Sequence, residues 1–241
     1  ERMQKLKGAV VHVMEPSEMS VMSLNTTVKP LSDIRVRKAI AMAVNRVEFL
    51  NFKGPDVTRA ATSVVPQGYL GHADMSALMP KFDVEGAKKL LADAGYPNGV
   101  TINAIHTSLP GMLSTMEVFQ AQLRRAGIKL ELEVVEHATF HAQIRKDLSQ
   151  VTHYAAARFP VADTYLTQFF HSDSTVGTKT AVTNFSHCSA GDAEIDAARV
   201  EHDGNKQKAL WKTAQEKIVK EVCAIPIYEN LQLWATKDNL D

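Results

Sequence analysis

His137 and His141 stand four residues apart in a stretch that reads as helix. That spacing turns two imidazoles toward one face and would let them share a metal ion. No third ligand and no cysteine partner is suggested nearby, so the pair is read as a solvated helix face and no metal is assigned. The chain has nine histidines, and the others are scattered without ligand spacing. The signatures of enzymatic chemistry are missing: there is no Walker A run, G-x-G-x-x-G, G-x-S-x-G, H-E-x-x-H or C-x-x-C. Among 27 acidic residues no spacing singles out an acid/base pair. Cys188 and Cys223 are either a disulfide formed in an oxidising compartment or two buried free thiols, and the sequence leaves both open.

The groups just named sit in a chain of 241 residues, long enough to bury a substantial core. Hydrophobic residues make up 45% and charged residues 22%, as in ordinary globular proteins. Lys plus Arg equals Asp plus Glu, so composition demands no basic face, and nucleic acid is not the expected partner. No run of 18 apolar residues exists that could cross a membrane as a helix. The opening Glu1-Arg2-Met3-Gln4-Lys5 is not a signal peptide. The methionines are scattered; Met112 and Met116 share a helical face and read as core filler, and Trp211 and Trp234 read as packing residues.

Gly8 to Met14 reads as a short buried strand, and Ser20 to Asn25 as a second extended stretch. Ser32 and Asp33 announce a helix over Ile34 to Val44, with Val36, Ile40 and Ala43 on one stripe and the basic residues on the opposite flank. Residues 51–80, with Gly54-Pro55, Pro66, Gly68 and Gly71, read as loop. A helix over 83–95 is capped by Asp83 and stopped by Gly95 and Pro97. Then come strand 100–106, helix 113–126, strand 128–135, helix 137–148, strand 151–157 and helix 162–170. A polar loop follows to about Thr183, then helices near 192–201 and 205–222 and a closing strand, 225–228, that continues near 231–235. Strands alternating with helices predict the α/β class.

Ordered blocks along nearly the whole chain resemble the oligopeptide/dipeptide/nickel-binding family of extracytoplasmic solute-binding proteins, family 5. The run Leu31-Ser32-Asp33-Ile34-Arg35-Val36-Arg37-Lys38-Ala39-Ile40-Ala41-Met42-Ala43-Val44-Asn45-Arg46 is similar to that family's "sD-x-R-V-R-q-A" block. Ala61 to Pro66 with Gly68-Tyr69, the helix from Phe82 to Tyr96, and the tail from Asn184-Phe185-Ser186 to Ala224-Ile225-Pro226-Ile227-Tyr228 match in order.

The resemblance implies a lobe of the type II periplasmic-binding-protein kind, a mixed sheet flanked by helices. It implies the whole of 1–241 as the second lobe of a two-lobe protein about twice this length, with a first lobe and signal peptide ahead of it. It further implies a monomeric receptor on the outer side of the cytoplasmic membrane that binds a peptide or similar small solute without catalysis or cofactor. That receptor hands its cargo to an ABC permease and its ATPase. The alternative is a ligand-sensing domain of a regulatory or signalling protein.

Peptide-binding members place an Asp, which pairs with the peptide ammonium, ahead of a "D-P-x-x-[yf]-l" helix start. Aligned on Val161-Ala162-Asp163-Thr164-Tyr165-Leu166, that Asp position holds Arg158, and the family's Trp position holds Ala155. A guanidinium favours carboxylate or phosphate. The expected site is therefore Arg158 facing an anionic group, with Phe159, Tyr154, Asn184, Phe185 and Asn25 in the same cleft segments.

Overall fold

The computed structural model describes residues 7–178 and 183–239; residues 179–182 of the expected polar loop lie outside them. Eight α-helices and six strands occur in the described residues. In chain order they are β1 (Ala9–Leu24), α1 (Ile34–Met42), α2 (Arg46–Lys53), β2 (Thr58–Ala60), α3 (Val84–Asp93), β3 (Val100–Thr107) and α4 (Pro110–Arg125). They continue with β4 (Ile128–Val135), α5 (His137–Arg145), β5 (Val151–Ala157), α6 (Ala162–Phe170), α7 (Asp192–Val200), α8 (Gly204–Lys220) and β6 (Ala224–Lys237).

A four-stranded antiparallel sheet runs in the order β2-β6-β1-β5, and β3 and β4 form a separate parallel pair. The fold is α/β with both strand senses, as expected. Side chains alternate across a strand. Met22 and Leu24 of β1, with Ile225 and Ile227 of β6, therefore face α1, α3, α4 and the β3–β4 pair. Met19 and Val21 face the other way, onto Tyr165, Leu166 and Phe170 of α6 and Trp211 and Ile218 of α8. The sheet thus carries an apolar layer on each side. Cys188 and Cys223 form a disulfide, with Cα atoms 5.8 Å apart, and both are buried in the second layer.

Four expectations are corrected. The stretch 8–14 is strand but not buried. It is the outer half of β1, paired with residues 232–237 as a two-stranded ribbon, and Val13, Met14, Leu233 and Trp234 are exposed. Trp234 is therefore not a packing residue, whereas Trp211 is buried. The basic residues of α1 do not all face solvent: Arg37 is buried and donates to the carbonyls of Leu31 (2.8 Å) and Glu221 (2.8 Å). Its planar fork bridges the entry to α1 and the exit of α8, satisfying carbonyls that would otherwise be orphaned. Finally, the segment read as loop from residue 51 begins inside α2. Asn45 caps that helix by accepting from the Val47 N–H, and the cap is fixed by Gln122, which accepts from the Asn45 N–H at 3.0 Å.

One glycine of the 66–80 segment is dictated by space. Gly71 has φ +87°, and a Cβ there would stand 2.4 Å from the Trp211 ring. This close approach lets Leu70 pair with the 160–162 backbone: its N–H donates to the Pro160 carbonyl, and its carbonyl accepts from the Ala162 N–H.

Candidate functional site

Strand β5 lies antiparallel to β1 at the sheet edge and leads through residues 158–161 into α6. The exit of a strand into a helix N-terminus is where α/β proteins gather ligand-binding groups. The turn is held from outside by the 66–71 loop: Tyr69 donates its hydroxyl to the Arg158 carbonyl at 2.9 Å and packs edge-on against Tyr165.

Arg158 is half-buried. Its guanidinium lies over the Phe169 ring at 5.0 Å, donates through Nε to the Gln168 side chain, and donates through Nη1 to the Ala157 carbonyl at 2.8 Å. No carboxylate pairs with it among the described residues. A guanidinium stacked, oriented and without an acid is set up to meet an incoming anion. Phe159 beside it is 76% exposed, the most exposed large apolar side chain of the described residues.

Tyr154 continues the same wall. Its ring lies 6.0 Å from Phe169, 5.1 Å from Phe185 and 6.0 Å from His141. Tyr154, Phe169 and Tyr165 also line a narrow apolar cavity with Met19 and Val21. Beyond Tyr154 the wall ends in the histidine pair of α5. The groups His141, Tyr154, Phe169 and Arg158 thus form one connected row running from α5 past β5 to α6.

The other three expected site residues are placed behind this row. Asn184 is fully buried; its amide donates to the carbonyls of His171 and Cys188, and its oxygen accepts from Ser186. Phe185 packs with Ile105, Phe140 and Ile144 in a third small apolar cluster. Asn25 is buried, donating to Asp147 and accepting from both the N–H and hydroxyl of Thr27. The polar atoms of both asparagines are engaged within the protein, so they shape the loops rather than offer free hydrogen bonds.

Sequence reasoning missed Tyr69, Gln168 and Phe169. Tyr69 lay within a recognised block, but only the bridge of its loop to Val161 shows where it reaches. Gln168 and Phe169 follow Tyr165 at i+3 and i+4, the spacing that puts them on neighbouring parts of one helix face.

A buried polar chain runs behind the wall. Ser20 Oγ lies 2.8 Å from His153 Nε2, and His153 Nδ1 lies 3.4 Å from His106 Nε2. Both rings are buried. Burial, reinforced by the neighbouring His106 and Lys53, holds His153 well below the ordinary imidazole range, and burial pulls His106 down to about 4. Both are neutral at physiological pH and tie β3 to β5 and β1.

Residues 1–177 match the family described as bacterial extracellular solute-binding proteins, family 5 Middle. The glutathione-binding protein GsiB of Salmonella choleraesuis is 28% identical over 237 residues, 95% of this chain and 46% of that one. Di/tripeptide-binding protein 2 of Pseudomonas aeruginosa is 26% identical over 236 residues, 95% of this chain and 44% of that one. The chain spans about half the length of the curated relatives it matches. The solved structure of MoaA from A. tumefaciens R10, in complex with mannopinic acid, is 48% identical and superposes with a TM-score of 0.91, covering 100% of this chain and 48% of that one. The chain therefore belongs to family 5 of the bacterial extracellular solute-binding proteins.

Proposed function

We propose that residues 1–241 form the second lobe of a two-lobe receptor, and that its β5–α6 turn is this lobe's contribution to a solute site closed by the other lobe. The receptor acts outside the cytoplasmic membrane as a monomer and delivers its solute to an ABC permease and ATPase. It is a binder, not an enzyme. Reversible capture requires no catalytic group, consistent with a sequence that carries no catalytic motif.

The cargo is a small solute with an anionic group. The observation that carries this reading is Arg158, half-buried and stacked on Phe169 with no acid beside it among the described residues. The aromatic wall of Tyr154 and Phe159 can pack against the carbon skeleton of a solute next to its charge. Mannopinic acid, the ligand of the 48% identical MoaA, and glutathione, named for GsiB, both carry carboxylates and are the first solutes to try.

Isothermal titration of the two-lobe protein with each solute tests the assignment. Arg158→Ala should weaken binding of the carboxylate solute by at least ~30-fold, the equivalent of about 2 kcal/mol. Unchanged affinity in Arg158→Ala would remove Arg158 from the site.

A further inference from the structure

The histidine pair of α5 is not a solvated face. Both rings are half-buried, with His141 packed against Phe140 and 6.0 Å from Tyr154. Their Nε2 atoms approach to 3.2 Å, with the rings edge-to-face at 78° and their centroids 4.5 Å apart. Two imidazoles held this way leave room for one proton between them, or for one cation.

The separation discriminates between these uses. A metal ion placed about 2.1 Å from each nitrogen, the ordinary distance for imidazole on zinc and its neighbours, subtends an angle of about 100°. That lies between the octahedral and tetrahedral values. His137 is oriented for the task. Its Nδ1 lies 3.1 Å from Thr107 Oγ1, and in the tautomer that donates from Nδ1 the Nε2 lone pair is free. Such an outer partner fixes the tautomer and orientation of the ring. On His141 the Nδ1 atom is buried with no hydrogen-bond partner among the described residues, leaving Nε2 as its only nitrogen engaged in the protein.

We propose that His137 and His141 form a two-histidine chelate for a divalent transition ion of the nickel, copper or zinc class, oriented by Thr107. Imidazole nitrogen suits these ions over magnesium or calcium. Among the described residues no group of three or more His, Cys, Asp or Glu could hold a metal. The remaining coordination positions therefore fall to water or to donor atoms of a second molecule. The chelate does not depend on which solute the lobe takes, since Arg158 has no part in it.

Calorimetric titration of the full chain with nickel chloride, and separately with zinc chloride, in a non-coordinating buffer tests this. One equivalent should bind, and His137→Ala and His141→Ala should each weaken binding by at least ~10-fold, with His72→Ala as an unaffected control. Thr107→Val should weaken binding less than loss of either ligand. Cobalt(II) provides a second readout: a visible ligand-field band should appear with the native chain and vanish in His141→Gln. Circular dichroism of each variant separates loss of ligand from loss of fold. No saturable binding, or binding that survives both histidine substitutions, overturns the proposal.

Discussion

Strands β1 and β6 form a single antiparallel ladder whose two halves live in different surroundings. In the inner half, residues 19–23 face residues 224–229, and Met22, Leu24, Ile225 and Ile227 are almost completely buried. In the outer half, residues 9–14 face residues 232–237 with the same antiparallel pairing, yet Val13, Met14, Leu233 and Trp234 are exposed. The register breaks between Met14 and Glu18, which separates the two halves. The same pairing therefore coexists with opposite burial. Hydrogen bonding sets register, while the apolar layers on both faces supply most of the stabilisation.

The two halves should respond differently to substitution. The disulfide closes a 35-residue separation and anchors Cys223, whose carbonyl accepts from the Leu24 N–H at the inner end of the ladder. Replacing both cysteines by serine should cost about 4 kcal/mol on the loop-entropy account, read as a lower urea midpoint. Ile227→Ala in the inner half should cost about 2–5 kcal/mol in the same assay, because it leaves a cavity in a closed layer.

Acid should strike the inner half as well. His106 and His153 have folded pKa values depressed by burial, so their contribution is intact above the unfolded value near 6.5. It is lost as pH falls from there toward about 4, where His106 protonates in the fold. Denaturation curves should show stability falling by roughly 3 kcal/mol over that window on account of His106 alone, and His106→Gln should flatten the profile. The smallest effect belongs to the outer half: Leu233→Ala should change stability by no more than ~0.5 kcal/mol. A cost as large as that of Ile227→Ala would show that the ribbon is not an independent, lightly held region.

These contrasts also mark where the sequence could be read. Strands β4 and β5 and helix α6 were legible to the residue, because short apolar runs there end in polar or glycine boundaries. The start of α1 was legible from Asp33, whose carboxylate does accept from the Arg35 N–H. Helix α2 escaped, although Asn45 with Glu48 three residues on is a capping pair, and the two side chains do meet at 3.2 Å. The exposure of residues 9–14 was not legible, since a Val-rich strand has the same pattern whether or not anything covers it. Arg37 was misplaced for a related reason. Its partners are backbone carbonyls of the distant Glu221 and the neighbouring Leu31, which leave no trace in residue type. At the candidate site, Arg158 was found by resemblance, but its stacking on Phe169 and the closeness of the α5 histidines depend on how α5, β5 and α6 pack together.

The ladder has a consequence for the order in which this fold can assemble. Ala9 faces Lys237, and the Asp238 N–H donates to the Gly8 carbonyl at 3.0 Å, so the first and last strands are neighbours in space. On a ribosome, β1 emerges before the other strands of its sheet and its β6 edge waits unpaired until residues 224–237 have been made, while β5 is available earlier on the other edge. Pairings between sequence-distant strands are slow because a long loop must close before any contact is gained. A circular permutant that joins residue 238 to residue 8 by a short turn and opens the exposed Pro97–Asn98 corner would turn that last, longest closure into a local hairpin. It should refold faster than the natural order while keeping every strand pair in the sheet.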